Sequence, residues 1–460
     1  MEKRIPIAGS IARVISILAV AVGLMLSAGV ARAQDDIGVP GGPFSTAFRV
    51  QNLGGSNANC NYVLYKADGT QAFQSSLPAI SPGTSAYIYT PAVTGLPSGL
   101  FSAVILCDQQ VAAVVNYSDP DSGDTYIGVS SPANTLFVPS IYNNFFDYYT
   151  SLRIMNASNS ANSVRVEYFK GANKIGEDTI PLQGNGSATV KQEGKSFLSP
   201  DVDYSAKITG TGPLAAMVQI YGRVGSPVQD QLYSFTAFSS GAPKAYVPLV
   251  MSNFFGYNTA TTVQNAGSAQ ADVKVTYSNG RVETFSLAPG ASKTLVDFLL
   301  LPSSSSVYSA VVENTGANPQ PLIVTVNESR SGTKLATTYE GFVSGAKNWV
   351  APIVMKNYFG YESSITCQNI GAGPATISIS YQGEGPNNTQ VNVPSVPKIT
   401  NLPVNQSGVV VQFGEAQLPS GFIGSAEISS TQDVICVVNQ SDQSNPNKDL
   451  LFAYNAIPKP

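Results

Sequence analysis

Leu322-Ile323-Val324-Thr325-Val326-Asn327 is a run of apolar and β-branched residues closed by an asparagine. It is too short and too β-branched for a helix, and reads as a strand buried on both faces. The same reading returns at Val111-Ala112-Ala113-Val114-Val115-Asn116, at Leu214-Ala215-Ala216-Met217-Val218-Gln219 and at Val434-Ile435-Cys436-Val437-Val438-Asn439. One strand occurring four times, at a period slightly above one hundred residues, marks repetition of whole domains rather than of solenoid turns.

Working outward, other markers recur in fixed order. Asn52, Asn156, Asn265 and Asn369 each end an alternating segment, three of them preceded by Gln51, Gln264 and Gln368. Tyr65, Tyr168, Tyr277 and Tyr381 close a following strand, such as Val273-Lys274-Val275-Thr276-Tyr277, with one face for the core and one for solvent. Asp68-Gly69, Asn279-Gly280, Pro82-Gly83 and Pro289-Gly290 supply turns. Ser102-Ala103, Ser205-Ala206, Ser309-Ala310 and Ser425-Ala426 open the strand before the apolar one. About seven short strands per unit, with no segment of helical period, predict an all-β chain of four tandem immunoglobulin-like antiparallel β-sandwich domains. Prolines at Val138-Pro139, Val247-Pro248 and Ala351-Pro352 read as stiff connectors, giving an elongated array over 34–136, 137–245, 246–348 and 349–460.

Lys3, Arg4 and Arg13, the apolar run from Val14 to Leu26 and Ala31-Arg32-Ala33 predict a signal peptide over 1–33. No transmembrane anchor is expected elsewhere, which places the protein outside the cell or on its surface. Without the leader, 21 Lys plus Arg face 28 Asp plus Glu. That balance, with no basic cluster, gives no footing for nucleic acid. Charged residues make up 12% of the chain, against roughly a quarter in an ordinary domain, which suits surfaces that pack against copies of themselves.

The chain has no histidine, which removes Ser-His-Asp and Cys-His catalysis and histidine zinc sites. No acidic residue recurs in all four repeats, and the chain reads as a non-enzyme with no cofactor. The four cysteines, Cys60, Cys107, Cys367 and Cys436, allow three connectivities. Pairing within the first and last repeats is favoured, with Cys367 and Cys436 expected to staple the two sheets of a sandwich. Asp119, Asp121 and Asp124 place oxygens along one loop and offer a weak calcium site, against the plainer reading of a solvated turn.

Phe145-Phe146-Asp147-Tyr148, Phe254-Phe255-Gly256-Tyr257 and Tyr358-Phe359-Gly360-Tyr361 follow the internal junctions. These rings either seal a domain boundary or stand free to stack on sugars or a neighbouring subunit. The first repeat lacks this element, running from Val39 to Gln51 in 12 residues where the third takes 17 from Val247 to Gln264. Ala456-Ile457-Pro458 reads as the start of a further unit, and the two ends would be complementary if subunits joined head to tail; the plainer reading is terminal trimming.

The junction prolines, the Asn253-Phe254-Phe255-Gly256-Tyr257 element, the Gln-Asn pairs and the Val437-Val438-Asn439 type of ending resemble tandem immunoglobulin-like repeats of secreted surface proteins from filamentous, Chloroflexus-type bacteria. The resemblance spans nearly the whole mature chain, carries no catalytic motif and implies an envelope or extracellular setting. Together these readings lead to a structural protein of the cell surface, a subunit of an extracellular filament, sheath or surface layer. Its partners would be itself or other surface components. The alternative is an adhesin that binds polysaccharide through the aromatic loops.

Overall fold

Asn265 shows why the repeats keep one register. Its Nδ2 donates to Ala269 O and Leu287 O at 2.8 and 2.9 Å. Asn52 holds Ser56 O and Ile80 O, Asn156 holds Ser160 O and Gln183 O, and Asn369 holds Gly373 O and Leu402 O in the same way. A buried carbonyl left without a donor is costly, so this asparagine fixes where each strand ends and its loop turns.

The computed structural model describes residues 38–442, 444–445 and 447–459; the expected signal peptide over 1–33 lies outside them. The first repeat holds β1 (Ser45–Asn52), β2 (Cys60–Tyr65), β3 (Gln71–Ser76), β4 (Ser85–Tyr89), β5 (Ser102–Cys107), β6 (Val111–Ser118) and β7 (Gly123–Ile127). The second holds β8 (Ala133–Ile141), β9 (Asn143–Phe145), β10 (Tyr148–Asn156), β11 (Asn162–Lys170), β12 (Asn173–Leu182), β13 (Ser187–Lys191), β14 (Tyr204–Gly222) and β15 (Leu232–Thr236). The third holds β16 (Lys244–Val250), β17 (Tyr257–Asn265), β18 (Ala271–Tyr277), β19 (Val282–Leu287), β20 (Ser292–Val296), β21 (Tyr308–Asn314), β22 (Leu322–Arg330) and β23 (Ala336–Glu340). The fourth holds β24 (Ala346–Lys356), β25 (Tyr361–Asn369), β26 (Ala375–Glu384), β27 (Gln390–Leu402), β28 (Ser407–Val411), β29 (Phe422–Asp442), β30 (Leu451–Asn455) and β31 (Ile457–Pro458).

The third repeat gives the clearest view of the layers. One antiparallel sheet runs β16-β21-β18-β19 and the other β20-β17-β22-β23. Val247, Val273 and Val312 of the first pack with Val263, Leu295 and Val324 of the second in one buried core. The immunoglobulin order is not the one observed. There the opening strand lies beside the second strand, whereas here β16 pairs with β21, the sixth, and β17 lies between β20 and β22. The junction proline permits this because β16 is an edge strand.

The expected elongated array is also corrected. β7 packs against β15, β15 against β23, β23 against β30, and β30 against β7, so the last strands close a cycle. Ladder partners set the equivalences: Thr125, Ser234, Thr338 and Ala453 lie opposite Asn116, Gln219, Asn327 and Asn439. Two residues on, Thr236 N donates to Glu340 Oε1, Glu340 N donates to Asn455 Oδ1, and Thr236 Oγ1 donates to Ile127 O. Equivalent residues meet equivalent residues, so successive repeats are related by rotation without a climb, and the arrangement is a ring. Short connectors and apolar strand faces exposed by each repeat favour closure over a rod, because closure covers them.

The ends differ from expectation as well. Ile457 and Pro458 pair with Val350 and Trp349 of the fourth repeat's own β24. They correspond to Phe238 and Phe342, which bridge to Phe137 and Tyr246, and so do not begin a further unit.

Candidate functional site

Where the last strands meet, Asp124 on β7 and Asp449 just before β30 lie near one another with no exposed surface. Two further carboxyls are held at other contacts between repeats, Glu328 on β22, also without exposed surface, and Glu340 on β23. Asp449 Oδ2 accepts from Leu232 N and Oδ1 from Ala336 N, both at 2.7 Å, joining the second, third and fourth repeats. Thr337 Oγ1 donates to Asp124 Oδ1 at 2.7 Å across the ring, and Asn439 Nδ2 donates to Glu328 Oε2 at 2.6 Å.

Burial pushes all four carboxyls upward, Glu328 to about 8 and Glu340 to about 7, and Asp124 and Asp449 well above the usual range, with Asp124 adding to the rise at Asp449. A protonated carboxyl can donate as well as accept, which suits a hydrogen-bonded hub. It lies too deep to meet a substrate. The hub therefore ties repeats together and has no access for chemistry. Sequence reading missed it because its members fall at different positions in different repeats.

The calcium candidate is not assembled. Asp119 Oδ1 accepts from the N–H groups of Asp121 and Ser122 at 2.8 and 2.7 Å, and Oδ2 from Gly42 N at 2.6 Å. Asp121 faces Lys448 at 3.6 Å, and Asp124 points into the hub. The three carboxylates diverge because the first closes the turn that the others leave, and among the described residues no cluster of three acidic or cysteine side chains could hold a metal ion.

Both disulfides form within their repeats, Cys60–Cys107 and Cys367–Cys436, each with Cα atoms 4.1 Å apart. Neither staples two sheets. Cys60 lies directly opposite Cys107 on β2 and β5, and Cys367 opposite Cys436 on β25 and β29; facing residues of antiparallel neighbours already stand within bridging distance. Each bond locks two adjacent strands.

The aromatic elements are two-residue hairpin tips. Phe254 and Tyr257 exchange both backbone hydrogen bonds at 3.0 and 2.9 Å, as Tyr358 and Tyr361 do at 3.1 and 3.0 Å. The residues between them, Phe255-Gly256 and Phe359-Gly360, have φ of 50° and 85°, and 51° and 91°. Phe146-Asp147 repeats this at 51° and 67°, and two positive φ angles make the mirror-image turn that fits strand twist. The structure splits each trio of rings. Phe146, Phe255 and Phe359 are 73, 75 and 60% exposed, each edge-on to the ring before it at 4.7–4.8 Å. Tyr148 turns inward to Gln231 and Tyr233, Tyr257 lies under Arg330 at 5.4 Å, and Tyr361 packs near Phe452 at 5.9 Å. Tyr257 and its equivalents are therefore supports, and the phenylalanine tips are the displayed rings. The three tips occupy equivalent places in their repeats.

No helix among the described residues is long and apolar enough to cross a membrane. No family model matches the chain, and no curated protein does. A solved structure titled "Crystal Structure of Thermotoga maritima 1070" shares 17% identity over 24% of this chain and 95% of its own, with a TM-score of 0.21. Another, described as an anti-sigma factor domain-containing protein, shares 8% identity over 64% of this chain and 96% of its own, at a TM-score of 0.12. Likeness this distant carries no argument about fold or function.

Proposed function

We propose that the chain is a secreted, non-enzymatic structural protein of the cell surface, built of four β-sandwich units and assembled with other copies into a filament, sheath or layer. The observation that carries this reading is the exposure of Phe146, Phe255 and Phe359 at equivalent hairpin tips. A phenylalanine at positive φ is an outlier for a bulky side chain, and holding one there costs on the order of 1 to 3 kcal/mol. Three hairpins bear that cost to hold a ring largely in solvent, supported edge-on by the ring before it. Exposed apolar side chains repeated at equivalent tips suit an association surface.

Light scattering and negative-stain imaging of the mature chain, residues 34–460, test the reading. Ordered multimers are expected, and they should be lost when Phe146, Phe255 and Phe359 are all replaced by Ser. A wild-type chain that stays a monomer at high concentration sinks it.

The same rings favour a second reading, an adhesin stacking them on polysaccharide. Glycan binding that disappears in the triple variant, with the wild-type mass remaining that of one chain, would select it.

A further inference from the structure

We infer that the outer edge of β5 in the first repeat is an acceptor for a β-strand, and that the donor is the segment around Val39-Pro40 of a second copy of this chain. The inference deepens the assembly reading and rests on it for the identity of the partner.

The four repeats differ at this edge. In the second, third and fourth, the Ser-Ala strand is covered by the strand bearing the junction proline. Val138 pairs with Ala206, Val247 with Ala310 and Ala351 with Ala426, and these three alanines are fully buried. In the first repeat the sheet stops at β3-β2-β5, and Ala103, the equivalent alanine, is exposed. Ile105 is half-buried where Ile208, Val312 and Ile428 are buried. Leu106 is 60% exposed, at the place where Thr209, Glu313 and Ser429 stand. An apolar side chain on an open edge of unpaired backbone is an invitation to pair. The edge opens on a cleft of ≈ 2770 Å³ between the first repeat and its neighbours, whose walls include Ala103 and Leu106 with Met155 of the second repeat and Ile423 of the fourth.

The covering strands read Leu136-Phe137-Val138-Pro139, Ala245-Tyr246-Val247-Pro248 and Trp349-Val350-Ala351-Pro352; the segment at the corresponding place ahead of the first repeat is Ile37-Gly38-Val39-Pro40. That segment does not cover its own repeat. Val39 packs with Tyr117, Tyr221 and Leu232, and Gly38 lies against Ser151 and Thr189 of the second repeat. Chain length explains this. From Val138, Val247 and Ala351 to the start of β10, β17 and β25 is ten residues each time, through the aromatic hairpin, whereas Val39 to the start of β1 is six. The hairpin that carries the chain from one sheet to the other is missing, so the donor must arrive from another molecule.

Two single variants of the mature chain, Val39→Cys and Ala103→Cys, are mixed under mild oxidation and resolved by mass spectrometry. A cross-linked heterodimer of twice the chain mass is expected in the mixture, absent from either variant alone and lost when Leu106→Asp is added to the acceptor. Leu106 is exposed, so that substitution leaves folding intact. Placing both cysteines in one chain and finding the cross-link only within monomers overturns the inference in favour of cis closure. No cross-link at all overturns the second copy as donor, even if a peptide of residues 133–141 binds β5. Polymers that form without the cross-link keep the assembly reading and remove the strand exchange; a cross-linked dimer that grows no further does the reverse.

Discussion

Asn265 bears more of the structure than its size suggests, because its one amide ties the buried carbonyl of Leu287 to the loop carbonyl of Ala269. Replacing it with Ala orphans the Leu287 carbonyl, which costs about 1 to 3 kcal/mol. The urea midpoint should therefore fall well below wild type at an unchanged slope. An equal midpoint would mean that water replaces the amide. The recurrence of this asparagine was plain in the sequence, but its duty was not, since either a turn or a ligand contact could have preserved the spacing. Gln264 and Gln368, its neighbours, act between repeats. Each donates an Nε2 hydrogen to the carbonyl of the buried alanine, Ala206 or Ala310, in the preceding repeat. Gln51 donates to Gly83 O within its own repeat.

At the scale of elements, the hairpin tips separate display from stability. Phe255→Gly removes the ring and gives the φ of 50° to the residue type that accepts it freely. We expect the variant to unfold at a higher temperature than wild type, by roughly 1 kcal/mol of added stability, while its association weakens. A variant that is both less stable and unchanged in association would show that the ring serves the fold instead. Strands, turns and the two within-repeat cysteine pairs were legible because periodicity and turn residues are local. Strand order was not: whether the opening strand lies beside the second or the sixth depends on pairing across some sixty residues, and one hydrophobic pattern satisfies both. Which aromatic faces outward was hidden for a similar reason, since a two-residue turn can present either ring.

At the scale of the molecule, the ring is held by a hub that the sequence conceals, and the hub makes the whole fold sensitive to pH. Glu328 and Glu340 keep their protons up to about 8 and about 7 in the folded chain, whereas an unfolded glutamate loses its own near ~4.3. Between those values the folded state holds more protons than the unfolded one. Stability is therefore fully present below the unfolded value, falls as pH rises through the window, and levels off above about 8. Each such group contributes a slope of at most about 1.4 kcal/mol per pH unit. Glu328→Gln is neutral at every pH and still accepts from Asn439, so its urea midpoint should decline less between pH 5 and pH 8 than that of wild type. Parallel declines in the two proteins would mean that Glu328 is already ionised in the ring, and would move the explanation to Asp124 and Asp449. A rod of independent sandwiches would have no reason to bury acidic groups at contacts between repeats, so a shared dependence on this carboxylate, measured on the whole chain, also tests ring against rod.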